Sequence, residues 1–164
     1  MVTFDDSQGT SALRGAAESG GRPAPKPLRG AVRLLEAMGH GTLTEFPLKS
    51  GRRADILSLG EKGEIWIVEV KSGVPDFRAD HKWQDYLEWC DRFFFAVGPT
   101  FPTEMLPSDA GLLIADEYDA VLVREPETTP LLGSRRKALT LRFALLAARR
   151  LSGREDPISA LAGP

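Results

Sequence analysis

Three residues in one short stretch are of the right types to do chemistry together. In GRRADILSLGEKGEIWIVEVKS, residues 51–72, Asp55 sits in one apolar run, and Glu69 and Lys71 sit in the next. Charges inside an otherwise buried strand are costly unless paired or bound to a metal. Side chains of a strand alternate faces, so Ile65, Ile67, Glu69 and Lys71 share one face, and Trp66, Val68 and Val70 share the other. The turn Gly60-Glu61-Lys62-Gly63 closes the two runs as a hairpin. An antiparallel pairing then brings Asp55 level with Glu69 or Val70, with Ile56 facing away.

Two neighbouring carboxylates repel, and one tends to keep its proton. A hard divalent cation relieves that conflict. Mg²⁺ takes oxygen ligands in octahedral geometry, typically one or two carboxylates with waters and substrate phosphate. The expected ligands are Asp55, Glu69 and the backbone carbonyl of Val70, with Mg²⁺ or Mn²⁺ as the metal. Lys71 would face the attacked phosphate, steadying its charge or helping to deprotonate the attacking water. The alternative is a plain ion pair at a sheet edge, Glu69–Lys71 or Asp55–Lys71.

The elements that must position these residues are readable from periodicity. Ala31, Leu34, Leu35 and Met38 recur at helical spacing, which predicts a helix over about Leu28–Met38 that Gly39 stops. Strands are expected over about Thr42–Leu48, Arg53–Leu59 and Glu64–Lys71. Pro75 breaks the chain, and a helix over about Phe77–Cys90 follows, with Asp80 as its cap. Further strands are expected over Arg92–Val97, Gly111–Ala115 and Ala120–Arg124, and a last helix over about Arg135–Leu151. Three consecutive strands followed by a helix predict a mixed α/β sheet.

The chain has 164 residues, 42% hydrophobic and 27% charged, which suffices for one domain with a real core. Residues 1–26 are rich in Gly, Ser, Pro and Ala, and a disordered arm is expected there. The folded unit is expected over 27–152, with a flexible tail over 153–164. The net charge of −2 averages an uneven distribution: Arg22 to Arg53 holds seven basic residues and two acidic ones. A basic patch is therefore compatible with the overall sign. The single cysteine, Cys90, excludes an internal disulfide and a Cys-rich zinc site. No apolar stretch approaches the roughly 20 residues that span a bilayer, and the start lacks the pattern of a secretory signal. A cytoplasmic protein without membrane contact is expected.

Asp on the second strand and Glu69-Val70-Lys71 on the third, with a helix before and a helix and strand after, resemble the PD-(D/E)XK nuclease superfamily over about Leu28–Val97. Asp55 matches the motif Asp, here after Ala54 where many members have proline. A closer likeness covers about Leu28–Leu151. The stretches GRRADILSLGEKGEIWIVEVKS, DFRADHKWQDYLEWCDRFFFAV and LTLRFALLAARRL are similar to the bacterial MmcB family of DNA repair proteins. This resemblance implies a restriction-endonuclease-like core with a central mixed sheet flanked by helices. It also implies Asp55, Glu69 and Lys71 as the catalytic set, DNA as partner, other repair proteins as candidate partners, and a role in repair. The expected reaction is metal-dependent hydrolysis of a DNA phosphodiester; the alternative is a binding module on the same fold that does not cut.

Several secondary candidates surround this set. Superfamily members often carry an acid ahead of the motif Asp. Glu45 is a candidate metal or water ligand, or else a salt-bridge partner of Arg52 or Arg53. Glu36 is expected to pair with Arg33 or meet solvent. Arg52, Arg53, Arg78, Lys82 and Gln84 are candidate DNA contacts. Some nuclease relatives bring a Gln and a Tyr four positions apart to the site. Gln84 and Tyr86 are two apart, so that pattern is not met. Trp83, Tyr86, Leu87 and Cys90 are expected in the core. Arg135, Arg142 and Arg149 repeat every seven residues, either as a phosphate-contacting edge or as a solvated helix face. His40 and His81 are too isolated for a zinc site.

Overall fold

The structure is a computed structural model, and it describes residues 26–156. The element order is α1 (Lys26–Ala37), β1 (Gly41–Pro47), β2 (Arg53–Leu59), β3 (Ile65–Lys71), α2 (Val74–Ala79), a 3₁₀ segment (Trp83–Trp89), β4 (Arg92–Val97), a 3₁₀ turn (Thr103–Met105), β5 (Gly111–Ala115), β6 (Ala120–Arg124) and α3 (Gly133–Glu155). The six strands form one sheet in the order β1-β2-β3-β4-β5-β6. Pairings β1–β2, β2–β3 and β5–β6 are antiparallel, and β3–β4 and β4–β5 are parallel. This is the mixed α/β architecture that the element order implied, an open sheet that fits a restriction-endonuclease-like core.

The alternation in β3 decides how the layers form. Every residue of β3 is buried, so both faces of the strand are covered. Trp66, Val68 and Val70 pack on one face with Leu28, Ala31 and Leu35 of α1. Ile65 and Ile67 face the other way, into a larger cluster with Trp83, Tyr86, Phe93, Phe95 and Leu139. The latter face carries α2, the 3₁₀ segment and α3, and by alternation it also carries Glu69 and Lys71.

Gly63 and Gly30 each sit where the backbone requires glycine. Gly63 closes the β2–β3 hairpin at φ 83°, in the left-handed region. Gly30 lets α1 approach the β5–β6 turn, where its N–H donates to the Asp116 carbonyl at 3.1 Å. A Cβ at Gly30 would lie 2.1 Å from the Asp119 carbonyl oxygen.

Asp91 fastens α3 to the sheet. Its carboxylate accepts from the backbone N–H groups of Ile65 and Leu131 at 2.7 and 2.9 Å and takes two bonds of 2.6 Å from Arg136. The residue is 4% exposed, so the charge is buried but fully partnered.

Two expectations about this region are corrected. The helix expected over Phe77–Cys90 is split into α2 and the 3₁₀ segment, because Asp80 leaves helical conformation as the last cap of α2. Asp80 is thus not the opening cap of one long helix. Leu87, expected in the core, is 41% exposed, since 3₁₀ winding turns it off the face that Trp83 and Tyr86 share. Glu36, expected to pair with Arg33 or meet solvent, is exposed and accepts from Thr42 Oγ1 at 3.1 Å, while Arg33 donates to the carbonyls of Glu117 and Tyr118. At the chain's two ends, α1 begins at Lys26 and α3 continues to Glu155. The expected arm up to residue 25 and the expected tail from residue 157 lie outside the described residues.

Candidate active site

The acids meet where β2 begins and β3 ends. The register pairs Ile56 with Val68, which sets Asp55 opposite Glu69. Each then braces the other's strand. The Val70 N–H donates to Asp55 Oδ2 at 2.8 Å, and the Asp55 N–H donates to Glu69 Oε1 at 3.2 Å. Each carboxylate spends one oxygen on a backbone donor, which fixes its rotamer and leaves the second oxygen for another partner. Val70, the third expected ligand through its carbonyl, is paired with Ala96 in the parallel ladder.

Lys71 completes the cluster, but its ammonium belongs to Asp80. Nζ lies 2.5 Å from Asp80 Oδ2 and 3.8 Å from Glu69 Oε2. The second value is an ion-pair separation and is too long for a hydrogen bond. Tyr86 closes the cluster from the 3₁₀ segment. Its hydroxyl donates to the Arg53 carbonyl at 3.0 Å and also reaches the Glu69 carboxyl.

The electrostatics follow from this packing. Burial, reinforced by the Asp55 charge, pushes the Glu69 carboxyl up to about 8. Burial likewise raises Asp55, against the pull of the Val70 N–H and the Lys71 charge. Burial pushes on Asp80 too, but bonds from Lys71 and the Lys82 N–H outweigh it and hold that carboxyl below the usual range. The cluster therefore has one firmly ionised acid that holds the lysine, and two acids short of positive charge. Tyr86 is held above its ordinary value by burial and then by Glu69.

That shortage is what a divalent cation would satisfy. Asp55 and Glu69 fit Mg²⁺ or Mn²⁺, which take one or two carboxylates and fill the remaining positions with waters. Among the described residues no group of three or more His, Cys, Asp or Glu side chains forms a larger cage.

Other expected site residues are placed as follows. Glu45 takes the second of its two expected roles: it pairs with Arg53 at 2.5 Å at an exposed edge. It also carries φ 53°, a left-handed conformation in a residue that is not glycine. Its neighbour Phe46 is thereby buried in the same cluster as Leu43. Arg52 pairs with Asp85 at 2.7 Å. Arg78, Lys82 and Gln84 are exposed on α2 and the segment after it, beyond Lys71. Arg135 pairs with Glu88 at 3.1 Å, Arg142 lies 6.0 Å over the Phe46 ring, and Arg149 is exposed. His81 is exposed. His40 is buried against Trp66, with Nδ1 3.1 Å from Ser58 Oγ. Cys90 is buried, and burial pushes its thiol up to about 12, so it is inert filler.

Sequence reasoning missed the roles of Asp80 and Tyr86. The available signal for Asp80 was an aspartate inside a supposed helix, where its side chain competes for backbone donors and favours a break. Tyr86 was assigned to the core, and it is 5% exposed there. Only its hydroxyl reaches the site, as a buried tyrosine hydroxyl must find a partner.

The chain was compared with known proteins. The MmcB-like family, described as "DNA repair protein MmcB-like", matches residues 19–158. No curated protein matches. A solved structure of a protein of unknown function from Silicibacter pomeroyi is 51% identical, with a TM-score of 0.79, covering 83% of this chain and 93% of that one. The family match spans most of the chain, and the chain belongs to the MmcB-like DNA repair protein family.

Proposed function

We propose that this protein hydrolyses DNA phosphodiester bonds during repair, with Mg²⁺ or Mn²⁺ held by Asp55 and Glu69. One observation carries the reading: two carboxylates on adjacent strands, Glu69 buried and Asp55 partly buried, are interlocked through each other's backbone and both are short of positive charge. A structural role would favour paired, ionised acids, as Asp91 and Arg136 are paired elsewhere in the fold. The bound cation would supply Lewis-acid charge at the scissile phosphate. Lys71 places an ammonium beside Glu69, where developing phosphate charge is steadied by a donor already oriented. Asp80 is a positioning residue that fixes that ammonium.

Cleavage and titration test the reading together. Oligonucleotides carrying nicks, flaps and branches are incubated with Mg²⁺, Mn²⁺ or EDTA. Wild type should cut in either metal, EDTA should stop it, and Asp55→Asn and Glu69→Gln should not cut. Mn²⁺ binding seen by calorimetry in wild type should be absent from Asp55→Ala. A wild type that binds no metal and cuts nothing sinks the proposal.

A second reading has its own support. Lys71 is 5% exposed and tied to Asp80, so its ammonium is already neutralised. A non-cleaving module that holds DNA or a repair protein on this fold would tolerate that arrangement. Tight DNA binding by wild type, with no cleavage in either metal, selects it.

A further inference from the structure

A concave feature lies among the elements packed on the sheet face that carries the acids. A cleft of about 280 Å³ opens between the turn after β1, the end of the first 3₁₀ segment and the first turns of α3. Its apolar part is Trp89, Leu132, Ala138 and Leu139. Its charged part is Lys49, Arg135 and Arg142. No carboxylate lines it. The larger cavity, about 550 Å³, is lined instead by Asp91, Asp109, Glu125 and Glu127 and would repel an anion.

The cations are not equivalent. Arg135 is committed: it donates to the Glu88 carbonyl, pairs with the Glu88 carboxylate and lies 4.7 Å over the Trp89 ring. Lys49 and Arg142 form no ion pair with any described residue. Lys49 is exposed. The start of α3 adds unsatisfied N–H groups, since Leu132 cannot cap it and its first turn holds no acid. Leu132 is 70% exposed, so an apolar wall stands beside unneutralised charge.

An apolar and aromatic wall with free cations at its rim matches a nucleobase with its phosphate. The volume lies at the small end of ligand sites, the size for one nucleotide and not for a duplex. A base inside a duplex is stacked and cannot enter a cleft, whereas an unpaired base can. A series of contacts links the cleft to the acids. Arg142 lies 6.0 Å over the Phe46 ring, the preceding residue Glu45 pairs with Arg53, and Arg53 stands two positions before Asp55.

We propose that this cleft holds an unpaired nucleotide of the DNA strand led to Asp55 and Glu69. The phosphate sits on Lys49 and Arg142, and the base lies against Trp89, Leu132, Ala138 and Leu139. The preferred DNA therefore carries a single-stranded stretch next to duplex. This rests on the reading of the protein as one that acts on DNA.

Fluorescence anisotropy at fixed salt tests it, with a blunt duplex, the same duplex bearing a ten-thymidine tail, and free oligothymidine. Wild type should bind the tailed duplex about tenfold or more tightly than the blunt one. Ala138 is exposed, so Ala138→Phe fills the cleft without disturbing the core. It should abolish the preference for the tail, leave blunt-duplex binding unchanged and leave the melting temperature unchanged. Lys49→Ala with Arg142→Ala should weaken tail binding and lower its salt slope by about 0.7, the value for one single-strand phosphate. A wild type without tail preference, or both variants keeping it, overturns the cleft assignment while the cleavage reading stands. A wild type that binds no DNA at all overturns both. Capture of a labelled hexaglutamate peptide that Ala138→Phe abolishes, with no tail preference, overturns it in favour of an acidic protein ligand.

Discussion

Lys71 is held by Asp80 at 2.5 Å and not by Glu69, which stands 3.8 Å away. The ammonium is thus aimed by a residue nine positions further along the chain, at the end of α2. Asp80→Asn keeps the shape and removes the charge that aims it. On the cleavage reading, kcat should fall about tenfold to a hundredfold with little change in DNA affinity. Lys71→Met, which removes the ammonium itself, should cost about a hundredfold or more. Single-turnover cleavage beside anisotropy separates the two quantities. Equal rates for Asp80→Asn and wild type would show that this contact does not position the lysine.

Asp55→Asn should leave metal-free stability unchanged or raise it. The substitution removes the repulsion from Glu69 and keeps an oxygen for the Val70 N–H. Were Asp55 a structural ion-pair partner, the same change would cost about 1–3 kcal/mol. Thermal melts in EDTA distinguish these outcomes, and a clear drop in Tm would count against the metal role.

Glu69 gives the metal-free protein a pH dependence of definite sign. Its carboxyl is raised from the ordinary value of 4.5 to about 8 in the folded state. Between those values the folded chain binds the proton and the unfolded chain does not. Stability is therefore highest below the lower value and falls as pH rises toward the upper one, with a slope on the order of 1 kcal/mol per unit for one proton. Glu69→Gln should flatten that slope. Urea melts across pH 5 to 8 (in EDTA) measure it, and a slope unchanged by the substitution would remove Glu69 as its source.

Asp91 acts in the opposite direction. Burial pushes its carboxyl up, but Arg136 and the N–H groups of Ile65 and Leu131 outweigh that and hold it below the usual range. Its contribution is present above the ordinary carboxylate range and is lost as pH falls through the lower folded value. Asp91→Ala leaves those donors and the Arg136 guanidinium without an acceptor and should cost about 3 kcal/mol. Denaturant midpoints for the variant and wild type at pH 7 check this. A loss under 1 kcal/mol would mean that α3 is fastened by its apolar contacts alone.

The sheet was legible because its signals are local. The Gly-Glu-Lys-Gly turn and the alternation in β3 place Asp55, Glu69 and Lys71 without reference to the rest of the chain. The break after α2 had one local signal, Asp80 itself, which the helical spacing from Trp83 to Cys90 masked because that spacing is also compatible with a 3₁₀ segment. What ends α2 is Asp80 meeting Lys71, a tertiary contact. Glu45 was legible only as two alternatives. Its left-handed backbone turns Phe46 into the core, a choice made by packing. Arg136, the partner of Asp91, stood in a basic run with nothing to distinguish it from Arg135 or Lys137.

The strand order has a kinetic consequence. Each strand lies beside its neighbour in the chain, and Asp55, Glu69, Lys71 and Asp80 all fall within residues 55–80. Their contacts close short loops, which form faster than contacts between distant segments. The acidic hairpin belongs to the early part of folding, and α3, fastened through Arg136 to Asp91 across 45 positions, belongs to the late part. Substitutions in the hairpin core, such as Ile67→Val, should slow refolding, whereas Arg136→Ala should act mainly by speeding unfolding.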